Sequence, residues 1–292
     1  MPLINKPSFL NLITALAAEL AAVGFDPLVD IENPDMVPEH LNPYVGMGNP
    51  DSDILMVGTE KALNAANPAH FAILTHELSL NVPHWNDLMV HHNHLIQPFD
   101  PNLLLRVAPF NGFNPFSPIL LAATHHLVFG HHGHTYYGLQ RLLNHYEEIH
   151  GQAATNAFEN TNFIDSSFSK CFITEISANP AVNLNEARFN IGQFFARNRY
   201  FFMTTQAADF YQSFRTVVIY AGKNERYVGK EGTLNRLQII RIFNPTLTHA
   251  DINTLPTHVY YDNGLGSRVI LCRHLSSGFG YETAHNIALS VL

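Results

Sequence analysis

A chain of 292 residues that is 46% hydrophobic and only 14% charged holds enough apolar side chains to enclose one large core, which excludes a disordered or fibrous polypeptide. Its 24 acidic against 16 basic residues leave a net charge of −8 with histidine neutral, so contact with a polyanion has to come from a local basic face or from protons gained among its 18 histidines. Two cysteines, Cys171 and Cys272, sit inside the apolar runs "KCFITEI" and "VILCRH", which argues against a disulfide framework or a CxxC metal site and fits a reducing cytoplasm.

The first apolar segment, "FLNLITALAAELAAVGF", is too interrupted by Glu19 and too poor in leading positive charge for a signal peptide. Leu10, Ile13, Leu16, Ala17, Leu20 and Val23 recur at helical spacing and predict a packed helix over residues 8–24, with Ser8 as N-cap and Gly24 past its last turn. No run is long enough to span a bilayer, so no membrane partner is expected.

Four short runs have the composition of buried parallel strands: "DILMVG" (53–58), "CFITEIS" (171–177), "TVVIYAG" (216–222) and "RVILCRHLS" (268–276). Helical patterns alternate with them. One is the stripe of Leu139, Leu142, Leu143, Tyr146 and Ile149, and another is the segment from about 187 to 214. The alternation predicts a single three-layer α/β/α domain over 1–292 with a mostly parallel central sheet. Ligands of such sheets bind at the carboxyl ends of the strands, where "GTE", "EISANP", "AGKNE" and "HLSSGFG" fall.

The connection between the first two runs, about residues 65–165, is far longer than an ordinary crossover and reads as an inserted lid. It carries eleven histidines from His70 to His134, including "HHNH" (91–94) and "HHGH" (131–134). His91 with His94, or His131, His132 and His134, have spacings that could ligate zinc. No HExxH helix, cysteine or suitably placed aspartate accompanies them, and adjacent histidines on a regular element point apart, so a polar lid is favoured over a metal site. No P-loop, GxGxxG or GxSxG is present, and the reading requires no cofactor.

The strand-end motifs together resemble the uracil-DNA glycosylase superfamily. "GNPDSDILMVGTE" is similar to that family's first motif, and "VILCRHLSSGFGYETAHNI" to its second, a strand ending in His-Pro-Ser-Pro before a loop and the last helix. "FITEISANP" and "TVVIYAGKN" resemble the second and third strands; the histidine-rich segment is unmatched. The resemblance implies a glycosylase-like fold and a monofunctional DNA glycosylase that flips a nucleotide and cleaves its N-glycosidic bond. Its partner would be DNA, single- or double-stranded, with no protein partner required. An isolated strand-Gly-x-Glu usually displays only a solvated carboxylate, but here Glu60 stands where the family's water-positioning aspartate stands. A carboxylate there stabilises the oxocarbenium-like sugar and orients water. His274 matches the second-motif histidine, which steadies charge on the departing base. Leu275 or Phe279 is the candidate wedge, Ser276 and Ser277 the candidate backbone contacts, and Lys61 and Lys223 candidate phosphate contacts.

The departures from the family pattern bear on the base. Ala62 stands where a tyrosine excludes bases substituted at C5, and Lys61 replaces a proline. Glu175 takes the place of the base-reading asparagine. A carboxylate accepts hydrogen bonds but cannot donate one to uracil O4, whereas it can accept from a cytosine N4 amino group. Phe71 is the first candidate to stack on a flipped base, with Tyr136 and Tyr137 as alternatives. These positions imply a cytosine-like base with a bulky C5 group and a role in defence against phage whose DNA is hypermodified. The alternatives are repair of uracil or damaged bases and a non-catalytic nucleic-acid or modified-nucleotide binder of the same fold.

Overall fold

The computed structural model describes residues 4–24, 44–58, 81–91, 134–151, 170–176, 199–220, 236–255, 258–275 and 281–291. In it the β-branched runs become strands β2 (Ile54–Gly58), β3 (Phe172–Glu175), β4 (Thr216–Ile219) and β7 (Arg268–Cys272). Each is shorter than its apolar run. Three further strands, β1 (Met47–Gly48), β5 (Ile252–Leu255) and β6 (His258–Tyr261), complete a seven-stranded sheet in the order β1-β3-β2-β4-β7-β6-β5.

The sheet is α/β and mixed, which corrects the expectation of a mostly parallel one. The pairings β3–β2, β2–β4 and β4–β7 are parallel, whereas β1–β3, β6–β7 and β5–β6 are antiparallel. The reason is legible in "YDNGLGS" between β6 and β7. Asp262 Oδ1 accepts the Gly264 N–H at 2.8 Å, Asn263 Oδ1 accepts that of Leu265 at 3.0 Å, and Gly264 and Gly266 adopt φ of 73° and 80°. This is hairpin chemistry, and a hairpin joins antiparallel strands.

Helices lie on both faces. Helix α1 (Pro7–Ala22), α2 (Asn81–His91), the chain from α4 (Arg199–Phe201) through a π-helical turn (Phe202–Gln206) to α5 (Ala208–Tyr211), and α6 (Arg236–Phe243) cover one face. Helices α3 (His134–Ile149) and α7 (Tyr281–Val291) cover the other. Strand side chains alternate between the two cores: Leu55, Val57, Val217, Ile219, Val269 and Leu271 enter the first, while Ile54, Met56, Val218, Ile270 and Cys272 enter the second. Two helices of the supposed insertion are therefore layers of the fold. Trp85 of α2 is buried with its ring 4.8 Å from that of Phe9, and Leu139, Leu142 and Leu143 of α3 belong to the core on the second face of the sheet. The rest of the segment lies outside the described residues.

Helix α1 begins one residue before the expected cap. Pro7 occupies its first turn, and Lys6 rather than Ser8 is the N-cap residue, without a side-chain cap. The Asp51 carboxylate anchors this end by accepting the N–H groups of Asn5 at 2.7 Å and Lys6 at 2.8 Å. The Lys6 Nζ sits 3.8 Å from the Phe214 ring centroid, and burial lowers its pKa to about 8 against the pull of Asp51 and Asp53. Gly24 follows the helix at φ 74°, as anticipated, but Val23 is 50% exposed and lies off the buried stripe, its place taken by Phe9 and Leu12.

Among the described residues no helix is long and apolar enough to cross a membrane. Cys171 and Cys272 are buried thiols outside any disulfide, and burial raises both thiol pKa values, that of Cys272 to about 12.

Asn81 ties α2 to the strand that borders β3. Its Oδ1 accepts the N–H groups of Val45 at 2.8 Å and Gly46 at 3.2 Å, and its Nδ2 donates to the Gly46 carbonyl at 2.8 Å, all out of contact with water. Asn81→Ala would leave buried donors without partners, and the expected loss is roughly 2–4 kcal/mol of unfolding free energy. Urea titration measures it as a lower midpoint at unchanged slope.

Candidate active site

The four parallel strands run in the spatial order second, first, third, fourth of the chain, so the connections leave β2 in opposite directions. In open α/β sheets such a reversal marks where ligands bind, here the carboxyl ends of β2 and β4. The residues at those ends share one face. Gly58 has the parity of Ile54 and Met56, Glu175 that of Cys171 and Ile173, Tyr220 that of Val218, and His274 that of Ile270 and Cys272, all on the side covered by α3 and α7.

Register brings them level. Gly58 is the Cα partner of Glu175, its carbonyl accepts the Ile176 N–H at 2.9 Å, and the Val57 carbonyl accepts the Tyr220 N–H at 2.9 Å. With no side chain on Gly58, the space above it is taken by its neighbours. A methyl group there would collide with the Glu175 carboxylate and come within 2.8 Å of the Tyr220 hydroxyl. On its other side the Tyr220 ring meets that of His274 edge to face, at 5.8 Å between centroids. A carboxylate, a phenol and an imidazole thus form one contiguous row, with Glu175 at 7% and Tyr220 at 6% exposure.

A second set of contacts holds the carboxylate's own strand end. The Arg199 guanidinium, buried at the start of α4, donates from Nη1 to the Tyr44 carbonyl at 2.7 Å and from Nη2 to the Glu175 carbonyl at 2.8 Å and Thr174 Oγ1 at 3.3 Å. Thr174 Oγ1 and Tyr211 Oη both donate to the Val45 carbonyl, at 2.8 and 2.7 Å. The planar fork of arginine suits this multiple attachment in a way a lysine ammonium would not. Behind it, the Tyr44 phenol has its pKa driven well above the ordinary value by complete burial, reinforced by the nearby Glu175 and Tyr220 and only partly opposed by Arg199. It stays protonated.

His274 has its pKa lowered, and the cause is burial. The imidazole is therefore neutral near pH 7, a form in which one ring nitrogen is a donor and the other an acceptor.

Of the residues singled out in the sequence, Glu175 and His274 are brought into one cluster, linked through Tyr220. Leu275 is corrected. It is 3% exposed and belongs to the core under α3, where a methyl on Gly138 would meet its carbonyl at 2.5 Å, so no apolar tip is presented for insertion between bases. Tyr136 lies in α3, which therefore approaches the strand-end segment, but its side chain and that of Tyr137 lie outside the described residues. So do Glu60, Lys61, Ala62, Phe71, Lys223, Ser276, Ser277 and Phe279. The side chains of His91, His94, His131, His132 and His134 are likewise outside them. Among the described residues no group of three or more His, Cys, Asp or Glu side chains is arranged to hold a metal ion. The sequence reading passed over Tyr44, Arg199 and Tyr220. Only Tyr220 had a visible signal, a polar-tipped aromatic directly after "TVVI".

No protein-family model matches this chain, and neither curated proteins nor solved structures yield a match.

Two outcomes follow from this geometry. Gly58 has no positive φ to protect, so Gly58→Ala acts only by crowding Glu175 and Tyr220, and an overpacking loss of about 1–3 kcal/mol is expected in denaturant unfolding. His274, with a pKa below its unfolded value of about 6.5, leaves the unfolded chain binding the extra proton as pH falls through that value. Its contribution to stability is present above about pH 6.5 and is lost as pH drops towards the folded pKa. The difference in unfolding free energy between wild type and His274→Gln should shrink over that window, as measured by urea titration at successive pH values.

Proposed function

We propose that this protein is a monofunctional DNA glycosylase that hydrolyses the N-glycosidic bond of a flipped, C5-substituted, cytosine-like base and leaves an abasic site. The observation that carries the reading is the row in which Glu175 and Tyr220 meet over Gly58 and Tyr220 meets His274, at the strand ends where a sheet of this topology binds its ligands. The likeness of the strand-end motifs to the uracil-DNA glycosylase superfamily supports it, and so does the arrival of two separately nominated residues, Glu175 and His274, in one cluster.

In this reading the flipped base lies against Glu175, whose carboxylate accepts from the exocyclic amino group. The bond between C1′ and the base nitrogen breaks with its electron pair leaving on the base. The neutral His274 imidazole donates a hydrogen bond to the base oxygen on which charge accumulates. Glu60, two residues past Gly58, faces the developing oxocarbenium ion with its carboxylate and takes a proton from the water whose oxygen bonds to C1′. Ala62, where the superfamily has an excluding tyrosine, leaves room for a group at C5, consistent with action on hypermodified phage DNA. Unpairing and unstacking the nucleotide costs a few kcal/mol, less for a base already in a single strand.

A net charge of −8 favours a second reading, a non-catalytic binder of modified nucleotides. One substitution separates the two. Glu60→Gln should lower the rate of base release by roughly 10²–10⁴ while DNA affinity stays the same. Mass spectrometry of free bases, released from genomic DNAs that include hydroxymethylated and glucosylated cytosine, reads the rate. A wild-type protein that binds such DNA but frees no base from any of it would establish the binder instead.

A further inference from the structure

Neither the family motifs nor the strand patterns gave a role to Tyr220, yet it is the side chain that joins the other two. We infer that Tyr220 reads the base, so that Glu175, Tyr220 and His274 form an acceptor, donor, donor row complementary to the Watson–Crick edge of a cytosine-type pyrimidine. The inference rests on the glycosylase reading above and narrows its substrate.

The order is set by the sheet. Glu175 ends β3, Tyr220 follows β4, and His274 follows β7, so the phenol lies between the carboxylate and the imidazole. Edge atoms of one pyrimidine ring are closer together than neighbouring strands, which are about 4.8 Å apart. Three side chains can serve one ring only if they converge, and the meeting of Glu175 and Tyr220 over Gly58 together with the 5.8 Å ring contact to His274 is such a convergence.

The chemistry of each position follows. A cytosine edge presents an amino donor at N4, then acceptors at N3 and O2. Glu175 can only accept, which suits N4. The phenol O–H is a donor and can direct its hydrogen at N3. The neutral imidazole donates to O2. Uracil presents the opposite character at the first two places: O4 would face the carboxylate without a hydrogen between them, and N3–H would point its hydrogen at the phenol. A row headed by a carboxylate therefore discriminates by leaving uracil O4 desolvated and opposed by charge.

Full-length protein is assayed on oligonucleotide duplexes that carry cytosine, 5-hydroxymethylcytosine, glucosylated 5-hydroxymethylcytosine or uracil at one position, with released base counted by mass spectrometry. Wild type should release one of the cytosine-class bases in preference to uracil. On that duplex Tyr220→Phe should lower kcat/KM roughly ten- to a hundredfold at an unchanged thermal midpoint. Replacing N3 of the same base by C–H should cost wild type a similar factor and Tyr220→Phe far less, because the two changes delete one hydrogen bond. Preference for uracil, wild-type indifference to the N3 replacement, or a Tyr220→Phe enzyme within about twofold of wild type overturns the inference while leaving a glycosylase. Absence of base release from all four duplexes removes the glycosylase reading and this inference with it. Should Tyr220→Phe fail to fold, the N3 replacement in the wild-type reaction decides by itself.

Discussion

The space above Gly58 governs this strand end. β2 stops there without a side chain, and the carboxylate of Glu175 lies in the volume that any side chain at position 58 would fill. Because β3, β2 and β4 are parallel and in register, their last residues arrive at the same level and project the same way, so an empty position on the middle strand becomes a meeting point for its neighbours. A bulkier residue on β2 would push Glu175 and Tyr220 apart. The row that includes His274 would then be broken in its middle.

Keeping a carboxylate in this place is costly, since a buried charge needs hydrogen bonds and nearby compensating charge. Arg199 brings a guanidinium to this strand end, and it donates to the backbone carbonyls of Tyr44 and Glu175 and to the Thr174 hydroxyl. Thr174 faces the opposite side of β3 from the Glu175 side chain, so the cation fixes the backbone from behind and leaves the carboxylate's front to its own face. The π-helical turn after α4 belongs to the same support. Thr204 and Thr205 bond back to the carbonyls of Tyr200 and Phe201 at 2.7 and 2.6 Å, and Ala207 N–H reaches Phe202, five residues earlier, at 2.9 Å. Beneath, the rings of Phe9, Trp85, Phe172, Phe210 and Phe214 interlock at centroid spacings from 4.8 to 6.1 Å. A face this densely aromatic gives the strand ends a stiff base, as a site that must hold hydrogen-bond geometry requires.

How much of this could be read from the chain depended on the range of the interaction. The four central strands were legible because burial on both faces demands unbroken apolar runs, and "ILMVG", "FITE", "TVVI" and "RVILC" supply them. β5 was not, since "INTL" at the sheet's edge is half exposed and carries no such run, and β1 is two residues held by pairing with β3. The antiparallel half had a local signal in "DNG" that apolar patterning overlooks. Glu175 and His274 were found through motif likeness, and Tyr220 missed, because a tyrosine after a buried run looks like core until its neighbours across the sheet are known. Arg199 had no signal: its acceptors lie 24 to 155 residues away in the chain. Ser8 and Val23 failed for the converse reason, as local helix rules yielded to Asp51, brought in by tertiary contact, and to the true position of the buried stripe.

The charge state of the cluster bears on what it can hold. His274 is kept neutral by burial and Tyr44 is kept protonated, so neither adds a formal charge at the strand ends. An acidic chain makes a poor general binder of phosphate, but an uncharged ring can be selected by the pattern of oriented acceptors and donors without attracting polyanions at large. Protonating His274 would add a positive charge beside Tyr220 and remove an acceptor from the ring, and burial opposes that protonation. The same burial that lowers the imidazole's pKa therefore keeps His274 in the neutral form, in which one ring nitrogen is a donor and the other an acceptor.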